Sequence, residues 1–187
     1  YEDLFANATV EITKRPVTLK SASASKAYDG TPLTKHEMAT YEGFVKEEGV
    51  DIAYSGTQTE VGSSANTYTY EPKTGTNLNN YEVSATNGTL MITKDNTGVE
   101  LTVTGYSEVY DGEAHSVSNE TVTGAVEGTV WTYQYRLSET DEWSDTKPDF
   151  TNVTAEGAVT VYVKASNANY EDLFANATVE ITKRPVT

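Results

Sequence analysis

Apolar and polar residues alternate with a period of two along several stretches of this chain, the pattern of strands with one buried face. Val99, Leu101 and Val103 alternate with Glu100, Thr102 and Thr104, and Val159, Val161 and Val163 alternate with Thr160, Tyr162 and Lys164. Val179 and Ile181 are set between Thr178, Glu180 and Thr182, while Trp131, Tyr133, Tyr135 and Leu137 are offset from Thr132, Gln134 and Arg136. In each stretch the first set is expected in the core. No segment keeps a helical period for three turns. Val, Thr and Tyr suit a pleated half-buried surface, and YDG, TNGT, GSS and AEG supply turns between strands. The pattern predicts an all-β protein.

Repeats then set the domain count. Residues 1–18, YEDLFANATVEITKRPVT, recur unchanged as residues 170–187, a spacing of 169 residues. An unbroken match at that distance reads as one register of a tandem array. A weaker repeat lies inside it. NNYEVSATNGTLMITK from Asn79 parallels NANYEDLFANATVEITK from Asn167, with Tyr81 answering Tyr170 and Ile92 answering Ile181 at an offset of 89. KAYDGTPLT from Lys26 parallels EVYDGEAHS from Glu108, with Tyr28-Asp29-Gly30 answering Tyr110-Asp111-Gly112 at an offset of 82. The expected organisation is a terminal strand of a preceding domain at 1–13, a first β domain at 14–94, a second at 95–183, and the start of a next repeat at 184–187. Each domain is expected to be a small antiparallel β-sandwich. The short junctions ITKRPVT and ITKDNTG favour end-to-end packing with limited swing. Strands of about ten residues at roughly 3.3 Å per residue give modules of about 35 Å, so a pair would advance about 70 Å.

Charge narrows the partners. The chain carries a formal net charge of −15. One copy of the duplicated segment contributes Glu2, Asp3 and Glu11 against Lys14 and Arg15, leaving −14 for each 169-residue unit. Such an excess repels nucleic-acid phosphates and anionic lipid. There is no cysteine, so disulfides and thiolate metal sites are excluded. No apolar run approaches the roughly eighteen residues of a membrane-spanning helix.

Enzymatic signatures are missing: no GxSxG, HExxH, Walker A or dinucleotide fingerprint occurs, and His36 and His115 are the two available imidazoles. No catalytic or cofactor-binding residue is expected. Asp141, Glu142 and Asp145, beside Trp143, are weak calcium candidates, because a domain junction can assemble oxygen ligands although the ordered DxDxDG loop is absent. The YDG triplets are expected to work structurally, Asp29-Gly30 and Asp111-Gly112 setting turns while Tyr28 and Tyr110 pack across them. Thirteen tyrosines among nineteen aromatics leave room for a second use, stacking on sugar rings or anchoring a protein partner.

Through YDG, EVGSSANTYTYE, and NYE followed by a closing ITK, the chain resembles the YDG and MBG-type tandem modules of large bacterial cell-surface proteins. The resemblance extends over essentially the whole chain. It implies Ig-like all-β repeats of adhesin-like proteins, often wall-anchored, and so an extracellular stalk that projects a functional tip. It carries no catalytic residue. Surface domains of similar architecture often hold a Lys–Asn isopeptide bond, for which Lys20 and Asn87 are the weak candidates here. Expected partners are neighbouring repeats, with strand complementation through residues 1–13 as one route, and a glycan or host protein as the alternative; nucleic acid and membrane insertion are not expected.

Overall fold

The structure, a computed structural model, describes residues 1–3, 5–154 and 157–186. It is all-β: its helical content among those residues is one 3-10 turn, Leu78–Asn80. Two compact units are formed, the first from residues 1–26 and 31–92, the second from residues 27–30 and 93–187.

The first unit contains β1 (Arg15–Ser21), β2 (Ala24–Ala27), β3 (Met38–Glu42), β4 (Val50–Tyr54), β5 (Gly62–Asn66), β6 (Tyr68–Pro72), β7 (Tyr81–Thr86) and β8 (Gly88–Thr93). They pair in three sheets, ordered β3-β1-β7, β2-β8-β5 and β4-β6. Val17 and Leu19 on β1 point inward and meet Val50 and Tyr81, with Met38, Phe44, Ile52, Tyr68 and Val83 packed around them. Ser21 and Asn66, both fully buried, make a polar knot beside this core. Ser21 Oγ donates to Asn66 O at 2.6 Å and accepts from Gly88 N at 2.9 Å, while Asn66 Nδ2 donates to Ala22 O and Lys35 O. Backbone groups satisfy Ser21 Oγ and Asn66 Nδ2, while Asn66 Oδ1 is buried without a hydrogen-bond partner among the described residues.

The second unit contains β9 (Glu100–Thr104), β10 (Tyr106–Val109), β11 (Ser118–Thr123), β12 (Thr132–Arg136), β13 (Val159–Ser166) and β14 (Leu173–Thr182). One sheet is ordered β10-β14-β13-β12 and the other is the pair β11-β9. Val117, Tyr135, Val161, Val163 and Val179 form the core, with Leu101, Val103, Tyr106, Tyr133 and Phe150 against it. The alternation therefore places Val161, Val163, Val179 and Ile181 inside as expected. Leu137 is the exception: β12 ends at Arg136, so Leu137 lies past the pleat that would have turned it inward, and it is exposed.

Two of the sheets are mixed, a correction to the expectation of antiparallel pairing throughout. β1 runs parallel to β7, and β10 runs parallel to β14. Neither pair is a hairpin, and the long crossover between their strands permits parallel alignment.

The internal repeat is visible in the pairing. In both units the strand preceding YDG is hydrogen-bonded to the strand that closes with ITK, β2 to β8 and β10 to β14. Three residues past each YDG the chain makes a reciprocal bridge, Leu33 with Gln58 and His115 with Phe150. The units differ where β5 and β6, separated at Thr67, serve two sheets, whereas β13 runs unbroken through one.

Candidate functional site

Three features concentrate the chemistry of this chain: an aromatic and cationic cluster on the second unit, the tyrosines of the YDG and NYE motifs, and the duplicated terminal segment.

The cluster lies around Trp143. The Arg136 guanidinium carbon sits 4.3 Å from the centroid of the Trp143 ring and 5.6 Å from that of Tyr162. Lys164 Nζ lies 5.1 Å from the Trp143 centroid, and the largely exposed Phe174 ring is 5.9 Å away. Gln134, Arg136, Tyr162, Lys164 and Phe174 come from β12, β13 and β14, at positions that alternate with the core residues Tyr135, Val161 and Val163, so they share the outer face. Cations over an indole are held by its ring quadrupole. A cavity of about 320 Å³ opens beside Arg136, lined also by Leu137, Asp141, Glu142, Ser144 and Thr146. Arg136 Nε is buried with no hydrogen-bond partner among the described residues.

On the inner side, Glu120 accepts from Lys147 Nζ at 2.6 Å and from the Tyr135 hydroxyl at 3.2 Å. Burial acts to raise the Glu120 carboxyl, yet the bonds from Lys147 and Tyr135 outweigh it and hold the group below its ordinary value. Burial, and then the Glu120 charge, push the Tyr135 hydroxyl up to about 12. This is a folding contact between β11, β12 and the loop at Lys147.

The YDG turns have glycine where the backbone is left-handed, with φ of 76° at Gly30 and 92° at Gly112. Asp111 Oδ1 accepts from Glu113 N at 2.9 Å, closing an Asx turn, and its carboxylate also meets His115 Nε2 at 2.9 Å. The His115 bond, followed by that from Glu113, holds the Asp111 carboxyl below its usual range. His115 itself stacks on Tyr106, ring centroids 3.9 Å apart. Within the second unit Tyr28 packs edge-on against Tyr170 at 5.5 Å, whereas Tyr110 is partly exposed and anchored through its backbone N–H to Thr182 O.

The tyrosine of NYE does something that sequence reading missed. Tyr81 and Tyr170 are both buried, and each hydroxyl receives a backbone N–H from a distant loop, Val45 N at 3.4 Å and Val126 N at 2.9 Å. Tyr81 also donates to Glu48 Oε2 at 2.6 Å, a bond that pushes its hydroxyl pKa up. The signal available in sequence was the shared offset of these two tyrosines, which marks them as equivalent but does not reveal the loop they pin.

Residues 17–91 match the MBG domain (YGX type) family, a span that includes Tyr28-Asp29-Gly30 and Tyr81. This part of the chain is similar to MBG domains. No curated protein matches the chain. The match takes in residues 27–30 of the second unit and ends before its main part, residues 93–187, where the paired YDG and NYE motifs and their strand pairing recur.

In the first unit, Lys20 sits on β1 in register with Thr86, one residue before Asn87, and the side chains of Lys20 and Asn87 are exposed. An isopeptide crosslink needs its lysine and asparagine enclosed together, and neither is. His36 stacks on Tyr54, ring centroids 5.4 Å apart. In the second unit Asp141, Glu142 and Asp145 are exposed, and Asp145 takes a hydrogen bond from Gln134 at 2.8 Å. Among the described residues no group of three or more His, Cys, Asp or Glu is placed to hold a metal ion.

The duplicated segment appears in two conditions. Residues 170–182 begin with the buried Tyr170 and continue into β14, where Val179 and Ile181 are core residues. Asn96 fixes the entry, donating to Glu171 O at 3.0 Å and accepting from Glu171 N at 2.8 Å. The same sequence at 1–13 has no strand among its described residues, and Phe5, Val10 and Ile12 are exposed.

Proposed function

We propose that this chain is a repeat of a non-enzymatic structural stalk in a bacterial cell-surface adhesin or surface filament, two Ig-like β modules set end to end to hold a functional tip away from the cell. The observation that carries this reading is the unchanged recurrence of residues 1–18 at 170–187. Tandem copies lengthen an array, and each pair of modules added extends its reach. The disposition of the aromatics supports it. Of the thirteen tyrosines, Tyr1, Tyr41 and Tyr110 are exposed, while the rest are buried or half-buried within their own units. Most tyrosine is thus used as packing and as loop anchors. The acidic surface keeps neighbouring stalks apart. Anchoring to the cell wall and an extracellular location belong to the same proposal.

A second reading, recognition of a glycan or host protein along the stalk, is favoured by one place, the Trp143 cluster with its unpartnered Arg136 Nε and adjoining cavity. Titrating the chain against an immobilised glycan panel, with Trp143→Ala as the control, separates the two. The stalk reading expects no saturable binding. Saturable binding that Trp143→Ala abolishes would overturn it in favour of the second.

A further inference from the structure

We propose that residues 1–13 are a donor strand, able to complete the four-stranded sheet of the second unit in another copy of this chain when that copy's own β14 is absent or displaced.

The slot is specific. β14 lies inside the sheet with partners on both sides, parallel to β10 from Tyr106↔Val179 to Val109↔Thr182 and antiparallel to β13 from Val159↔Val179 to Ala165↔Leu173. Its loss would leave two strands with unpaired backbone groups and open the core where Val179 and Ile181 sit, at 0 % and 2 % exposure. Unpaired strand edges of this kind are templates for an added strand.

The donor matches that slot residue for residue. Residues 1–13 are identical to 170–182, so Val10 and Ile12 stand at the positions of Val179 and Ile181 and carry the same period-two alternation. A one-residue slip would turn both outward, so a single register is favoured. A second copy of this chain is the partner indicated, because donor and displaced strand have the same sequence. In an intact copy the tethered β14 keeps the slot, since an identical strand arriving from elsewhere gains no contact and loses association entropy. Donation therefore acts when β14 is pulled out or missing, and needs only the duplicated sequence and the slot, whatever the array is for.

The test uses the full chain carrying Val179→Asp and Ile181→Asp, which bars β14 from the core. Both tryptophans of the chain, Trp131 and Trp143, belong to the second unit, so their emission reports its folding. After refolding, this variant should keep native emission, and light scattering should give a mass of two or more chains. Adding Val10→Asp and Ile12→Asp should abolish both results, and excess synthetic peptide of residues 1–13 should restore the emission. Loss of emission in the first variant with no recovery on adding peptide would overturn the proposal. So would native emission from a monomer, which would put the strand back into its own molecule.

Discussion

Ile12 and Ile181 offer a test in which sequence context is held constant and only structure differs. Both lie in the segment VEITKRPVT, yet Ile181 is 2 % exposed and Ile12 is 94 % exposed. Truncating Ile181 to alanine removes buried carbon worth about 0.8 kcal/mol per methylene, roughly 2.4 kcal/mol for the three carbons lost. A residual cavity adds to this and brings the loss to about 3 kcal/mol, inside the range of about 2–5 kcal/mol for such core truncations. For a unit of this size that corresponds to a fall in Tm of roughly 12–24 °C. Ile12→Ala, at an exposed position, should stay within about 0.5 kcal/mol of the parent. Urea denaturation followed by tryptophan emission reads the second unit directly, and the midpoint should fall for Ile181→Ala with an unchanged slope. Equal losses from the two substitutions would refute the reasoning, as would a loss below about 0.5 kcal/mol at Ile181. Either result would mean that residues 1–13 and 170–182 do not differ in burial in solution.

Other outcomes follow from the same structure. Lys147→Ala strips Glu120 of its cationic partner and should destabilise the second unit by about 1–3 kcal/mol, read by the same emission. Because the folded Glu120 carboxyl lies below its ordinary value of 4.5, its contribution is present above that value and is lost as pH falls through the depressed one. Acid titration of Tm should therefore show a decline below about pH 4.5 that Lys147→Ala flattens; an identical decline in the variant would count against the pair. Ser21→Ala should destabilise the first unit by about 1–3 kcal/mol by leaving Gly88 N–H without its Ser21 partner in the core, and a neutral result in calorimetry would contradict the polar knot. Millimolar calcium should leave Tm unchanged, since Asp141, Glu142 and Asp145 are exposed and not gathered into a site; a saturable rise would contradict that placement.

The strands were legible wherever apolar residues alternated cleanly, as at Val159, Val161 and Val163 or Val179 and Ile181, because burial on one face of a pleat leaves that trace directly. Leu137 broke the pattern since alternation cannot show where a strand stops. Ser21 and Asn66 were invisible as core residues: a serine and an asparagine read as surface until the backbone groups that Ser21 Oγ and Asn66 Nδ2 bind are known. The parallel pairs of β1 with β7 and β10 with β14 were likewise hidden, because they join segments distant in sequence. The internal repeat located the YDG and NYE motifs, and the turn chemistry of Asp111-Gly112 was readable from residue type alone. What Tyr81 and Tyr170 do was not read, because tyrosine is common in strands and the loops they pin share only a short G-x-V step, Gly43-Phe44-Val45 and Gly124-Ala125-Val126. Of the candidate sites, Trp143 and its acidic neighbours stood out in sequence, but the cations that flank the indole came from β12 and β13, which only the sheet brings together.

Small-angle X-ray scattering on chains of one, two and three 169-residue units tests the stalk most directly. A maximum dimension that rises by one fixed step per unit, about 70 Å for a pair of modules at roughly 3.3 Å per strand residue, is the result a stiff spacer gives. A sublinear rise, as expected of flexibly joined domains, would contradict it and turn attention to binding by the repeats themselves.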